Sequence, residues 1–288
     1  MGKRMGDRKD GKLLRNLDSM HFIMPIIYPG RCNNEAFISE RIDLTKTMAY
    51  IDKKNLQEDT YNYTLFHVVL AATLKTLTLR PKMNRFIKNG NIYQRNEISA
   101  AFVVKKIFSD DGEEGLAFIH SKDDDTLDSI HDEILRQISE CRSEDTVDAS
   151  TEAMDFFNKM PRFLAKFLVK RFLFLDRHGL IPQSVIETDP YHASVVLSNL
   201  GSIGLKACYH HLTDWGTNSV FVAIGERKYR AFIDEYGNGE MRDSVDIGLT
   251  IDERIADGYY YSGTVRLLKK LIENPELLEL SFDRKIEY

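Results

Sequence analysis

The chain has 288 residues, 43% of them hydrophobic, and can bury a full core without disulfides or metal ions. Its 39 basic and 44 acidic residues are interspersed and give a net charge of -5, which argues against a general nucleic-acid-binding surface. Cys32, Cys141 and Cys208 stand at unrelated spacings, which argues against a disulfide framework or a zinc site and favours a reduced cytoplasmic setting.

No linker rich in Pro, Gly or Ser divides the sequence. We therefore expect a single domain over residues 35–288, with residues 1–34 as an N-terminal segment that packs on it. Basic residues cluster between Lys3 and Arg15, as either a phosphate-binding arm or a solvated segment. No apolar stretch follows them, so they do not form a signal peptide, and we expect a cytoplasmic protein with no membrane partner.

The first predicted elements mix strands and helices. Alternating apolar residues predict a strand over 36–44, which leads into a helix over about 45–53. Residues 64–79 are apolar nearly all round, which predicts a buried helix that ends before Pro81. An Asn-Gly turn then predicts a hairpin over 86–93.

An antiparallel pair of strands is expected next, at 98–105 and 115–120, across an acidic turn at 109–114. From residue 126 the apolar spacing becomes helical and continues to about 138. The aspartates at 123–125 precede this helix. They are interpreted as capping and dipole-compensating residues, with a metal site as the alternative.

Residues 160–177 predict another helix, which contains several cations among its apolar residues. We expect a core or subunit-interface helix, with contact to a membrane surface as the alternative. Strands follow at 193–197 and 219–224. A Gly-Asn-Gly turn then begins a hairpin whose second strand alternates cleanly over 245–251.

Four motifs accompany these elements: a helix that runs into a Pro-x-x-Asn turn at 79–84, Ser-Asn-Leu-Gly-Ser-Ile-Gly at 198–204, Asp-Glu-Arg-Ile-Ala-Asp-Gly at 252–258, and a closing helix with an Asn-Pro-x-x-Leu stop at 274–278. In this order they resemble CoA-dependent acyltransferases of the chloramphenicol acetyltransferase type, including the acyltransferase components of 2-oxoacid dehydrogenase complexes. The resemblance covers most of residues 35–280. It implies an α/β fold, an α+β two-layer sandwich in which helices flank a mixed sheet, and a homotrimer with active sites between neighbouring subunits.

The resemblance also implies roles for individual residues. Ser198 corresponds to the hydroxyl that stabilises the oxyanion, and Asn199, Gly201 and Gly204 complete its motif as candidate residues for binding coenzyme A. Asp257 corresponds to an aspartate that pairs with an arginine and fixes the loop that carries the base. From the residues alone, Ser198 and Asn199 also suit a turn in which both side chains bond to local backbone.

Glu253 stands where the family carries its catalytic histidine. An ordinary carboxylate lies about 4 pKa units below a thiol and imidazole only about 2, so the replacement adds about 3 kcal/mol to proton removal, about a hundredfold in rate. Burial of a carboxylate can close much of this gap. Glu253 is thus interpreted either as a base or as a structural carboxylate bonded to Arg254 or another cation.

Three histidines are candidates for a displaced imidazole: His192, six residues before Ser198, and the adjacent pair His210 and His211. Neighbouring residues of an extended segment point to opposite faces, so at most one of this pair is expected to face a given site. The alternative for each is an ordinary structural hydrogen bond.

The sequence therefore predicts a CoA-dependent acyltransferase that acts on a small-molecule acceptor, without a metal ion. A catalytically silent trimeric binding or scaffold protein of the same fold is the alternative. If the strands that end at Leu197 and Ile251 finish near one another, Ser198 and Glu253 lie on opposite walls of a common cleft.

Overall fold

The computed structural model describes residues 4–56, 61–105, 114–142 and 159–288. The strands are β1 (Gly11–Leu13), β2 (Glu35–Asp43), β3 (Arg85–Lys88), β4 (Asn91–Arg95), β5 (Ile98–Lys105), β6 (Glu114–Ser121), β7 (Val195–Asn199), β8 (Val220–Ile224), β9 (Lys228–Ile233) and β10 (Gly239–Asp252). The α-helices are α1 (Ser19–Ile27), α2 (Thr45–Asn55), α3 (Leu65–Leu79), α4 (Leu127–Arg142), α5 (Arg162–Arg177), α6 (Gln183–Ile186) and α7 (Gly258–Glu273).

The larger sheet has seven strands in the order β2-β10-β8-β7-β5-β6, and β9 pairs with the first half of β10. Strands β5, β7 and β8 run parallel, and the other pairs are antiparallel. A smaller antiparallel sheet joins β1, β4 and β3. The predicted mixed sheet with local hairpins is thus confirmed.

Alternation along the central strands divides the buried residues between two faces of the sheet. Val195 and Leu197 of β7 join the large core, which includes residues of α3, α4 and α7. Val196 points the other way and joins a small cluster that includes Phe221 and Leu212. Helix α3 is buried along most of its length, as its apolar sequence predicted.

Several predicted details are also found. The strand expected at 193–197 is present two residues later, as β7. The Asp125 carboxylate accepts hydrogen bonds from the Lys122 N–H at 2.7 Å and the Ser129 hydroxyl at 2.9 Å, which fixes the turn before α4. The helix N–H of Ser129 is capped by the Thr126 hydroxyl at 3.4 Å, so the expected capping role is wrong for Asp125. Most of the acidic turn between β5 and β6 lies outside the described residues. Neither β1 nor α1 was predicted.

Helix α5 lies on the surface, and Asp176 alone of its residues is buried. Of the two locations expected for this segment, the core is therefore wrong, and the subunit interface stays a prediction. Pro161 precedes the helix and residue 179 is a glycine with φ +67°, so the sequence marks both the start and the end of α5. Among the described residues, no helix is long and apolar enough to cross a membrane.

The Asp176 carboxylate is the centre of a buried polar cluster. Lys88 Nζ lies 2.5 Å from Oδ2, His192 Nε2 and Arg8 NH2 each lie 3.4 Å from Oδ1, and the Gly216 N–H donates to Oδ2 at 3.1 Å. Burial by itself raises the pKa of Asp176, but the hydrogen bonds and charges of His192 and Lys88 hold that pKa well below its ordinary value. The solvated interpretation of the basic N-terminal residues is thus wrong for Arg8.

The start of α3 contains a histidine that must stay neutral. His67 Nδ1 accepts a hydrogen bond from the Thr64 N–H at 2.9 Å, which satisfies a donor at the helix terminus. The ring is buried beside His131, and burial lowers the pKa of His67 to about 4. Protonation would remove the accepting lone pair and charge a buried ring, so the cap and the neutral state depend on each other.

This coupling predicts an acid-sensitive step in unfolding. The folded pKa of His67 lies below the unfolded value of 6.5, so its contribution is complete above pH 6.5 and is lost as the pH falls to about 4, at a cost of about 3 kcal/mol. His67→Gln keeps an acceptor at this capping position but cannot titrate. Urea unfolding across this range should show a smaller loss of stability in the variant by about that amount. Parallel pH profiles for the two proteins would contradict the assignment.

Candidate active site

Ser198 lies near the carboxyl end of β7, where it lines a cleft of about 520 Å³. The strand alternation that directs Leu197 into the large core directs Ser198 to the opposite face. The cleft is also lined by Phe102, Val103 and Val104 near the carboxyl end of β5 and by Phe221 near the amino end of β8, so residues of all three parallel strands contribute to it. No hydrogen bond to the Ser198 hydroxyl is formed by the described part of the chain.

His210 lines the same cleft as Ser198. Its ring stacks on Phe221 with a centroid distance of 4.4 Å and an interplanar angle of 9°. Its Nδ1 lies 2.9 Å from the backbone carbonyl oxygen of His211. A carbonyl oxygen can only accept, so Nδ1 carries the proton of the neutral ring and Nε2 carries the lone pair. The local backbone therefore holds His210 in the tautomer of a base.

His211 points away from this cleft, as the expectation of opposite faces requires. Its Nδ1 lies 2.7 Å from Glu35 Oε2, and the side chain is 79% exposed. Glu35 is nearly buried and also accepts a hydrogen bond from the Leu212 N–H. The Glu35 carboxylate therefore fixes the chain just after the two histidines.

The third candidate, His192, is completely buried. Its two ring nitrogens face Asp176 at 3.4 Å and Asp189 at 2.9 Å. Burial opposes protonation of His192, but these two carboxylates raise its pKa above the ordinary value. With both nitrogens directed at carboxylates, His192 does not line the Ser198 cleft, and its contacts are structural.

Glu253 is exposed at the end of β10. Its N–H donates to the Asn34 carbonyl oxygen, and its carboxylate has no hydrogen bond or ion pair with the described residues. The structural interpretation named Arg254 or another cation as its partner. Arg254 does not bind Glu253, because that guanidinium binds Asp252 with Nε at 2.8 Å and NH2 at 2.7 Å.

Ser198 and Glu253 do not share a cleft within one chain. Ser198 is opposite Ala223 of β8, and Ala223 is opposite Gly248 of β10, five residues before Glu253. At about 3.3 Å per residue, this register alone separates them by about 16 Å. The expectation that the two strands finish near one another is wrong within a subunit, because β7 and β10 run in opposite directions.

Asp257 caps α7 and forms no ion pair with an arginine in the described structure. Its carboxylate is exposed and accepts a hydrogen bond from the Tyr260 N–H at 2.9 Å. The carboxylate–arginine pair expected for Asp257 is formed instead by the buried Asp252 with Arg254, and Arg31 Nε approaches Asp252 at 3.9 Å.

The three residues suggested for coenzyme A have different local roles. Asn199 lines the cleft, and its carbonyl oxygen accepts from the Ser202 hydroxyl at 2.7 Å. A Cβ on Gly201 would lie 2.5 Å from the Gly225 carbonyl oxygen, so this glycine permits a close backbone approach. Gly204 adopts φ +74° and ends the turn after β7.

Sequence reasoning missed the apolar wall of the cleft. It is formed by side chains with the same apolar character as core residues: Phe66, Phe102, Val104, Leu116, Ile138 and Phe221. No signal in the sequence separates them from the core, because their hydrophobic character and spacing are the same. No group of three His, Cys, Asp or Glu side chains suited to a metal ion occurs in the described ranges.

Residues 185–280 match the family model of the 2-oxoacid dehydrogenases acyltransferase (catalytic domain). No curated protein shows a significant sequence match. Among solved structures, dihydrolipoamide acetyltransferase of Azotobacter vinelandii is similar at a TM-score of 0.61 and 13% identity, over 93% of this chain and 94% of that one. A serine, a histidine and an asparagine have been investigated for their role in the catalytic mechanism of that protein.

Two further structures have the same fold. The cubic core of a pyruvate dehydrogenase multienzyme complex is similar at a TM-score of 0.61 and 14% identity, over 93% of this chain and 94% of that one. A chloramphenicol acetyltransferase is similar at 0.57 and 16% identity, over 93% and 99%. The predicted fold class and the resemblance on which it rested are confirmed.

The two aspartates of the Asp-Glu-Arg-Ile-Ala-Asp-Gly motif should differ in their effects on stability. Asp252→Ala leaves Arg254 buried without its carboxylate and should cost about 3–5 kcal/mol. Asp257→Ala removes an exposed helix cap and should cost about 1 kcal/mol. Urea unfolding of both variants measures the difference. Equal losses of stability would contradict the assignment of the buried ion pair to Asp252 and of the exposed helix cap to Asp257.

Proposed function

We propose that this protein is an acyltransferase that moves an acyl group from a thioester of coenzyme A to a small acceptor. The observation that carries the proposal is that Ser198 and His210 line one apolar cleft. Acyl transfer needs a hydrogen-bond donor for the oxyanion and a base for the acceptor, and these two residues have the required chemistry. The family match over residues 185–280 supports the same reaction class.

His210 is the proposed base, in place of the histidine that the family carries where this chain has Glu253. Its Nδ1 donates to the His211 carbonyl oxygen, so Nε2 is available to take a proton. Neutral imidazole lies closer to a thiol or hydroxyl in proton affinity than a carboxylate does. Glu253 is exposed, forms no ion pair with described residues and does not line the cleft that contains Ser198.

The reaction follows from these assignments. His210 Nε2 takes the proton of the acceptor hydroxyl or thiol, whose heteroatom attacks the thioester carbonyl carbon. The Ser198 hydroxyl donates to the oxygen that becomes negative, and in the described residues no other protein group competes for it. As the carbonyl re-forms, the carbon–sulfur bond breaks and the leaving thiolate receives the proton from His210. His210 is then neutral again, and the bond from the carbonyl carbon to the acceptor has replaced the carbon–sulfur bond.

The walls of the cleft favour an apolar group in the transferred acyl chain or the acceptor. Phe102 and Phe221 lie on opposite sides of β7 in the sheet order, and both line the cleft with Ser198. Each methylene group buried against such walls contributes about 0.8 kcal/mol. We therefore expect the cleft to discriminate between acyl chains or acceptors more by their size and hydrophobicity than by their charge.

Variants of the adjacent histidines separate the proposed base from its neighbour. His210→Gln should lower the rate of CoA release from an acyl-CoA by about a hundredfold or more, and Ser198→Ala by about a hundredfold. His211→Gln is the matched control and should stay within about threefold of the parent, as should Glu253→Gln. Activity in the parent with no loss in His210→Gln would overturn the assignment of the base.

The alternative is a catalytically silent binding protein, which the exposed Glu253 at the family's base position would suit. The same assay decides between them. Parent protein that releases no CoA above background between mildly acidic and mildly alkaline pH, with acceptors that carry a hydroxyl or a thiol, would support the silent alternative.

We also propose that the protein is a homotrimer. The register that separates Ser198 from Glu253 within a chain is compatible with a site to which neighbouring subunits contribute opposite ends of their sheets. Sedimentation velocity at micromolar concentration should give a trimer. A monomer under these conditions would contradict the proposal.

A further inference from the structure

Helix α5 carries a row of exposed aromatic side chains. Phe163, Phe167 and Phe174 are 76%, 65% and 49% exposed. Their spacings of four and seven residues put them on one side of a helix with 3.6 residues per turn. We call these three residues the phenylalanine row. Exposure of three aligned aromatic rings is unusual unless something covers them.

Cations border the phenylalanine row on both sides. At 100° per residue, Lys166, Lys170 and Arg177 lie together along one edge of the row, and Arg162 lies farther round the helix on the same side. Arg171 lies along the other edge. The one acidic residue of the helix, Asp176, is buried inside the protein and faces away from solvent. The outward charge of α5 is therefore purely positive, although the whole chain has a net charge of -5.

Helix α1 extends this surface. Phe22, Ile26 and Ile27 are exposed on it. Ile26 lines a cleft of about 790 Å³ together with Leu173 and Arg177 of α5, so the two helices border the same depression. The cleft is also lined by Arg31, Lys88 and Arg254, but these cations are buried and lie beside the Asp252 or Asp176 carboxylates. The positive charge of this surface is therefore that of α5, and α1 adds exposed apolar side chains.

We propose that α1 and α5 together dock on a lipid bilayer that contains anionic lipids. A helix that lies in the bilayer interface inserts apolar rings at the level of the headgroups while flanking Lys and Arg side chains reach the phosphates. The phenylalanine row with cations on both edges has this arrangement of apolar and charged side chains. Anionic headgroups also supply the negative charge that the surface lacks. The inference does not depend on the proposed acyl transfer.

Charge favours a bilayer over a second copy of this chain. The helix is exposed along its length and its outward charge is positive, so contact between two copies of it would bring like charges together. Docking on a bilayer differs from the expectation of no membrane partner, which rested on the absence of a long apolar segment. Docking on a surface needs no such segment.

Flotation of the full chain with lipid vesicles tests the proposal. Binding to phosphatidylcholine vesicles that contain phosphatidylglycerol should be at least about tenfold stronger than binding to phosphatidylcholine alone, and should weaken as salt is added. No flotation with the anionic vesicles, or equal flotation with both kinds, would overturn it.

Two double variants remove the two components separately. Phe163→Ser with Phe167→Ser removes apolar insertion, and Lys166→Glu with Lys170→Glu reverses part of the charge. Each should weaken binding to anionic vesicles by about tenfold or more. The matched control is Ile233→Ser with Tyr236→Ser, which removes two exposed apolar side chains from the β9–β10 hairpin, at 71% and 81% exposure, and should bind like the parent.

Thermal unfolding and sedimentation of the same proteins complete the test. The exposed positions should leave the unfolding temperature unchanged, so that a loss of flotation reports the surface and not the fold. Unaltered binding by both α5 variants would overturn the proposal. So would a phenylalanine variant that sediments as a smaller species than the parent, because the row would then be an interface between copies.

Discussion

The buried carboxylate of Asp176 is the contact on which the arrangement of the other parts depends. The carboxylate contacts Arg8 of the N-terminal segment, Lys88 of β3 and the imidazole of His192 in the turn before β7. It also accepts a hydrogen bond from the Gly216 N–H. A buried charge is stable only with such partners, and removing one side leaves the others uncompensated. One side chain thus connects the surface helix α5, the small sheet and the entrance to the central strands.

The same cluster fixes the segment that carries the two candidate imidazoles. Lys88 Nζ, besides Asp176, donates to the Asp214 and Gly216 carbonyl oxygens at 2.9 Å. Arg31 NH1 donates to the Thr213 carbonyl oxygen at 2.6 Å. Residues 213–216 follow directly after the two histidines, and Glu35 holds Leu212 from the other side. The position of His210 over Phe221 therefore depends on buried cations that do not belong to the cleft.

The parts of this molecule that could be predicted from sequence are those determined by local pattern. Helix α3 followed from its continuous apolar residues, and the hairpin of β3 and β4 from its Asn-Gly turn. Ser198 was correctly located at a strand end because Ser-Asn with two following glycines specifies a turn. The fold class followed from the order of the four motifs, since such an order specifies a chain path.

What could not be predicted depends on contacts between distant segments. The directions of β7 and β10 relative to one another are set by β8, and no local signal encodes a shared neighbour. The arginine ion pair expected for Asp257 forms with Asp252 for a similar reason. Each carboxylate stands just before a helical turn, and only tertiary packing buries that of Asp252. The tautomer of His210 depends on the orientation of the His211 carbonyl group, which could not be predicted from the sequence. The surface position of α5 could not be predicted either, because its apolar residues suit a core helix or a subunit interface equally well and the sequence does not show which of them face solvent.

That helix is held to the body of the protein chiefly at one end. Asp176, in its last turn, is its one buried side chain, and the first three turns make only partial contact. Packing consequently places little restriction on which residues occupy those turns. Related chains can diverge there in charge and in apolar character without losing the fold, provided that the final carboxylate remains. The outer surface of α5 is thus a place where natural variation can adapt the protein to new surroundings while the cleft that contains Ser198 is unchanged.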